Sequence, residues 1–181
     1  MSTHPALADD STNRVDTVSP MAPELAAPGE FAVGVRTLQV TDAGRIDILN
    51  TKEGGPLLRA DRTLTLEVWY PAELAKGQAK GGEYRDVMTR DGVTRVTLKG
   101  QAVRDAAPVK AAGGYPLVVI SHGYPGNRFL LAHLAESLAS KGYVCVSIDH
   151  KDSTYDDQKA FASTLYNRPL DQLFVVREVA R

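Results

Sequence analysis

The chain has 181 residues, 43% hydrophobic and 24% charged, enough for one domain with a sizeable core. Its 21 basic and 22 acidic residues leave a formal net charge of −1, so no basic face calls for nucleic acid or an anionic membrane. The one cysteine, Cys145, excludes an internal disulfide framework, and its place between Val144 and Val146 reads as core.

Residues 1–29 are rich in Ala, Pro, Ser, Thr and Asp, a composition that buries too little apolar surface to order itself and reads as a disordered tail. Residues 1–14 hold Asp9 and Asp10 and no apolar signal core, and no segment reaches the ~18 to 20 apolar residues of a membrane span. The expected location is cytoplasmic. Phe31, Val33, Val35, Leu38 and Val40 suggest a first strand. Leu64, Leu66, Val68 and Tyr70 alternate strictly along a second, which Pro71 should end. The two should pair antiparallel, with one face buried and one wet.

Residues 72–114 carry seven glycines among charged residues and read as an irregular surface excursion with a minor strand at 93–98. Leu117, Val118, Val119 and Ile120 form an unbroken apolar run, as in a strand covered on both faces of a parallel sheet. The loop Ser121-His122-Gly123-Tyr124-Pro125-Gly126 follows. A helix is expected over 127–141, its apolar face made by Leu130, Leu131, Leu134, Ala135 and Leu138, with Gly142 just past its end. Residues 143–148 form a second buried strand ending at Asp149-His150, and the strand–helix–strand unit should be a right-handed parallel crossover. A short helix over 157–164 and another starting at Asn167 and Pro169 complete the pattern.

A glycine-bearing loop at the carboxyl end of a buried strand is where open α/β sheets bind ligands. A Rossmann-type dinucleotide site would use the same parts, with Asp149 as its acidic residue. Here, though, Gly123-Tyr124-Pro125-Gly126 puts a bulky side chain and a proline where a pyrophosphate needs close backbone approach. Asp149, His150, Asp152, Asp156 and Asp157 fit no calcium or zinc spacing, so neither metal nor other cofactor is expected. None of the nine serines stands in Gly-x-Ser-x-Gly.

Four stretches resemble the N-terminal half of an α/β-hydrolase of the dienelactone hydrolase and platelet-activating-factor acetylhydrolase-like group. They are LTLEVWYP at 64–71, YPLVVISHGYPGNR at 115–128, the helix to Gly142-Tyr143, and VSIDHKD at 146–152. The resemblance implies an α/β fold in which residues 30–181 supply the N-terminal hairpin and the parallel strand–helix–strand of a partial hydrolase sheet, truncated before the nucleophile elbow. It implies a Ser-His-Asp esterase acting on a small-molecule ester or lactone. Serine, acid and histidine would all lie beyond Arg181, and the isolated chain would be inactive. The same resemblance makes the Tyr124 backbone N–H an oxyanion donor, with Gly123 allowing close approach and Pro125 unable to donate. His122 would hold the loop, while Asp149 and His150 would shape the pocket rim. A non-catalytic α/β binding module is the other reading.

Overall fold

The computed structural model describes residues 13–17, 21 and 27–180 of the chain. Its main sheet is mixed. Strands β1 (Ala32–Ile46) and β2 (Arg59–Glu73) form a long antiparallel hairpin, and β2 pairs antiparallel with β8 (Val144–Asp149). Strand β7 (Leu117–Ser121) then pairs parallel with β8, in register from Leu117↔Val144 to Ser121↔Ile148. Two-residue strands β5 (Val103–Arg104) and β6 (Ala107–Pro108) add to β1 and β2. The order is β5-β1-β2-β8-β7, so β7 lies at an edge among the described residues.

Helix α1 (Ala132–Ser140) covers one face of the sheet and α2 (Phe161–Val179) the other. Period-two alternation sorts the strand residues between them. Val33, Val35, Trp69, Ile120 and Cys145 pack toward α1, while Leu64, Leu66, Val68, Val146 and Ile148 share a cluster with Val175 of α2. Strand β2 is therefore covered on both faces, not on one as its alternation suggested. Its second face carries Trp69 and the buried Glu67, and the one charged residue makes that face look wet in sequence.

Several expected boundaries move. Pro71 does not end β2. Its carbonyl accepts from Val109 N–H, so its missing N–H faces the β6 side, past the last β8 pair, Trp69↔Cys145. The excursion at 72–114 contains an antiparallel hairpin, β3 (Gly82–Met88) with β4 (Arg95–Gly100), whose Tyr84 and Val87 enter the α1-side core. The tail expected over 1–29 lies partly outside the described residues. Within them, Val15 N–H bonds to Lys99 O and Lys99 N–H to Asn13 O, so this piece runs beside β4.

The helix expected from 127 starts at Ala132. Asn127 Oδ1 accepts the Phe129 N–H and Asp149 Oδ1 the Arg128 N–H, giving those donors side-chain partners instead of helical ones. Its sheet-facing stripe is small: Ala132, Ala135 and Ala139 are buried, whereas Leu130 and Leu134 are 45% and 41% exposed. Close approach of helix to sheet suits alanine there. The two helices expected near the end are one. Pro169 sits inside α2 and gives the carbonyl of the exposed Leu165 no i+4 N–H, while Asn167, Asp171 and Val175 are buried on the other side.

Candidate active-site loop and its buried anchor

The carboxyl end of β7 delivers Ser121 toward α2, and the chain turns through His122, Gly123 and Tyr124. His122 is buried. The backbone N–H of His150 donates to its Nε2 (3.3 Å), so Nδ1 carries the proton and donates to the Gly123 carbonyl (2.7 Å). Burial pushes the His122 imidazole down to about 4, with His150 and Arg168 nearby acting the same way and the Gly123 carbonyl opposing. It is neutral near pH 7, in one tautomer.

Arg168 reaches across from α2. It donates to the His122 carbonyl, to the Gly123 carbonyl at 2.8 Å and to Ser153 Oγ at 3.1 Å. Two successive carbonyls are thus held on one side of the loop. In a trans peptide the N–H points opposite the C=O, so the N–H groups of Gly123 and Tyr124 face away from Arg168. Neither has a hydrogen-bond partner among the described residues. A Cβ added at Gly123 would meet nothing within 4 Å, leaving open space above the loop. Gly126 is the opposite case. A Cβ there would lie 2.7 Å from His122 Nδ1, so glycine is what lets the ring dock.

His150 follows Asp149 by one residue and faces the other way. Its side chain is fully buried against the α2 face, with Nε2 2.9 Å from Ser121 Oγ and Nδ1 2.9 Å from Asp171 Oδ2. Asp171 also accepts from Arg45 and, through both oxygens, from Arg62 at 2.8 and 2.9 Å. Arg62 extends the network to Asp152 at 2.8 Å. Burial alone would raise the Asp171 carboxyl, but the bonds from His150 and Arg62 outweigh it and hold it low. Burial also lowers His150, with Asp171 opposing.

Ser121, His150 and Asp171 therefore stand in a serine–histidine–carboxylate line. In the sequence Ser121 lacks a Gly-x-Ser-x-Gly frame, and no local motif marks Asp171 or Arg168. The signal available was phase: in the pairing of β7 with β8, Ser121 and His150 share one face. His150, expected at the pocket rim, has no exposed surface.

Asp149 faces α1. Arg128 holds it with a backbone N–H (2.6 Å) and a guanidinium contact, and Arg128 also bonds Glu67 at 3.2 Å. Burial raises the Asp149 carboxyl, and the bonds from Arg128 offset part of that. The Tyr124 side chain stacks edge-on against Phe161 (5.1 Å between centroids) and bonds the Lys159 carbonyl, so ring and hydroxyl pack on the chain leading into α2.

Residues 26–172 match the family model described as platelet-activating factor acetylhydrolase, isoform II, a span holding the whole loop and its anchor. The chain belongs to that family. Platelet-activating factor acetylhydrolase of Cavia porcellus is 33% identical over 66 residues, which cover 34% of this chain and 15% of that protein. A ferulic acid esterase from Streptomyces cinnamoneus superposes with a TM-score of 0.60 at 26% identity, covering 83% of this chain and 47% of the esterase. The chain thus spans under half the length of either relative. Within this acetylhydrolase family chain, no described helix is long and apolar enough to cross a membrane.

Proposed function

We propose that the protein is a serine-type hydrolase of small-molecule esters or lactones, and that this chain supplies its oxyanion donor, the backbone N–H of Tyr124. The observation that carries the reading is a pair of N–H groups, at Gly123 and Tyr124, without hydrogen-bond partners among the described residues, in a loop at the end of β7 where Gly123 is exposed. When a nucleophile adds to the ester carbonyl, its oxygen becomes an alkoxide. A fixed N–H aimed at that oxygen stabilises the addition step more than the ground state. His122 supports the loop, and Asp149 and His150 set the walls behind it. Nucleophile, acid and base are assigned to residues outside this chain, because no serine here stands in Gly-x-Ser-x-Gly and the chain matches 47% of the esterase.

The test is made in the full-length protein with p-nitrophenyl acetate or butyrate. Tyr124→Pro removes the N–H and should lower kcat by about 10²-fold or more, while Tyr124→Phe keeps it and should be mild. Equal losses would assign the effect to the phenol and end the backbone-donor reading.

A second reading comes from the Ser121–His150–Asp171 line, which has the hydrogen-bond order of a hydrolytic triad. Against it stand the complete burial of His150, which leaves no route for a leaving group to collect a proton, and the two arginines that neutralise Asp171. Fluorophosphonate labelling decides between them. The chain of 181 residues should stay unlabelled, and labelling lost on Ser121→Ala would establish the second reading.

A further inference from the structure

Taking Tyr124 N–H as the oxyanion donor, we propose that Arg168 is the positioning residue that aims it. The guanidinium spans two consecutive carbonyls, those of His122 and Gly123, from a helix 45 residues away in sequence. Fixing the Gly123 carbonyl fixes the plane of the Gly123–Tyr124 peptide, and with it the direction of the Tyr124 N–H that this chain contributes. A loop glycine would otherwise let that plane rotate freely. Arg168 suits the task because its fork is planar and rigid, whereas an ammonium is a single rotating point charge that cannot hold two carbonyls in one geometry. Its hold is in turn fixed by Ser153 Oγ, which bonds Arg168 at 3.1 Å and the His150 carbonyl at 3.3 Å. His122 Nδ1–H, on the same Gly123 oxygen, is a second contact in the same sense. Arg168 touches no reacting atom on this account. It acts through the peptide.

The guanidinium is otherwise poorly compensated. No carboxylate pairs with Arg168 among the described ion pairs, and its buried Nε–H has no hydrogen-bond partner. Burial lowers its affinity for a proton, with the Asp171 charge opposing. A purely structural cation in this fold would resemble Arg62, which has two carboxylate partners.

The experiment uses the full-length protein, with p-nitrophenyl butyrate turnover, fluorophosphonate inactivation and thermal melting read on each variant. Arg168→Ala should lower kcat on the order of 10²-fold with KM changed less than about threefold, since misplacing a group by an ångström costs that much. The rate of phosphonylation, in which negative charge also builds on the phosphoryl oxygen as the serine adds and fluoride leaves, should fall in parallel. Arg168→Lys should recover little of the loss. Added guanidinium, at concentrations that leave the wild type unaffected, should restore Arg168→Ala activity saturably. Should the alanine variant melt too early to assay, Arg168→Gln, which keeps one donor for one carbonyl, replaces it with the same expectation at about 10-fold.

A loss confined to KM, or full activity in Arg168→Lys, overturns the positioning role. So does a kcat loss that guanidinium leaves untouched. Tyr124→Pro separates the two claims: if it retains kcat, the oxyanion reading fails. If it loses kcat while Arg168→Ala does not, only the inference about Arg168 fails.

Discussion

Asp171 and Glu136 are both buried carboxylates that tie a helix to the sheet, one on each face, and their partners differ in kind. Asp171 on α2 is held by Arg45, Arg62 and His150, from β1, β2 and the end of β8. Glu136 on α1 is held by neutral donors: the Tyr84 hydroxyl at 2.5 Å and the backbone N–H groups of Gln101 and Ala102 at 3.0 and 3.1 Å. The ionic anchor stands behind the active-site loop. The neutral anchor fastens the β3–β4 hairpin, whose Tyr84 also accepts from Trp69 Nε1 at 2.7 Å. A carboxylate among arginines makes strong bonds at a high desolvation cost, so its value shows mainly when it is removed and cations are stranded. A carboxylate among neutral donors strands only dipoles.

The largest effect should come from removing the ionic anchor. Asp171→Ala leaves Arg45 and Arg62 buried without their shared partner and should cost about 3–5 kcal/mol in urea unfolding. Glu136→Gln keeps one acceptor oxygen and should cost about 1–3 kcal/mol. Equal costs would show that partner charge is not what separates the two regions.

Next in size is the pH response of the loop. His122 faces His150 from β8, Arg168 from α2 and the Gly123 carbonyl, and its imidazole is lowered to about 4 from an ordinary 6.5. Between those values the unfolded chain binds the extra proton. The contribution is therefore complete above about pH 6.5 and declines as pH falls, to be lost below about pH 4. Its full size is at most about 3 kcal/mol. His150 slopes the same way, so the readout is the difference between wild type and His122→Gln in unfolding midpoint across pH 4–7. An unchanged slope in the variant would remove His122 as its source.

On the neutral side, Tyr84→Phe keeps the ring packed against Phe129 (5.5 Å between centroids) but takes a donor from Glu136 and an acceptor from Trp69. Both are left buried, and thermal melting should report a loss of about 1–3 kcal/mol. A loss well below 1 kcal/mol would mean that water replaces the hydroxyl.

The two regions were unequally legible in the sequence. Strands β1, β2, β7 and β8 follow from period two and unbroken apolar runs, which report burial directly. Of the β3–β4 hairpin, β4 was legible as a minor strand at 93–98, but β3 was hidden, because only Tyr84 and Val87 mark its inner face among glycines and charges. Pro169 misled as a helix start because nothing local says that the helix can pass through it on an exposed side, at Leu165. The loop itself was readable from Gly123 and its place after a buried strand. Its anchor was not. Arg62 and Asp171 meet across 109 residues, and Arg168 and Asp171 on a helix read as a solvated face until the fold turns that face inward.

The smallest effect is expected of a carboxylate in water. Asp105 pairs with Arg36 at 3.3 Å, both side chains well exposed, and exposed pairs are worth about 0–1 kcal/mol. Its backbone matters more: φ is +56°, in the left-handed region, and its N–H bonds the Val35 carbonyl. Asparagine tolerates that conformation and deletes only the charge, so Asp105→Asn should shift urea stability by less than about 0.5 kcal/mol. Asp105→Val deletes the same charge and adds β-branching at positive φ, which should cost about 1–3 kcal/mol. If the two variants lose equal amounts, the ion pair and not the turn sets the value of this residue. The scale running from Asp171 through Glu136 to Asp105 would then not follow burial.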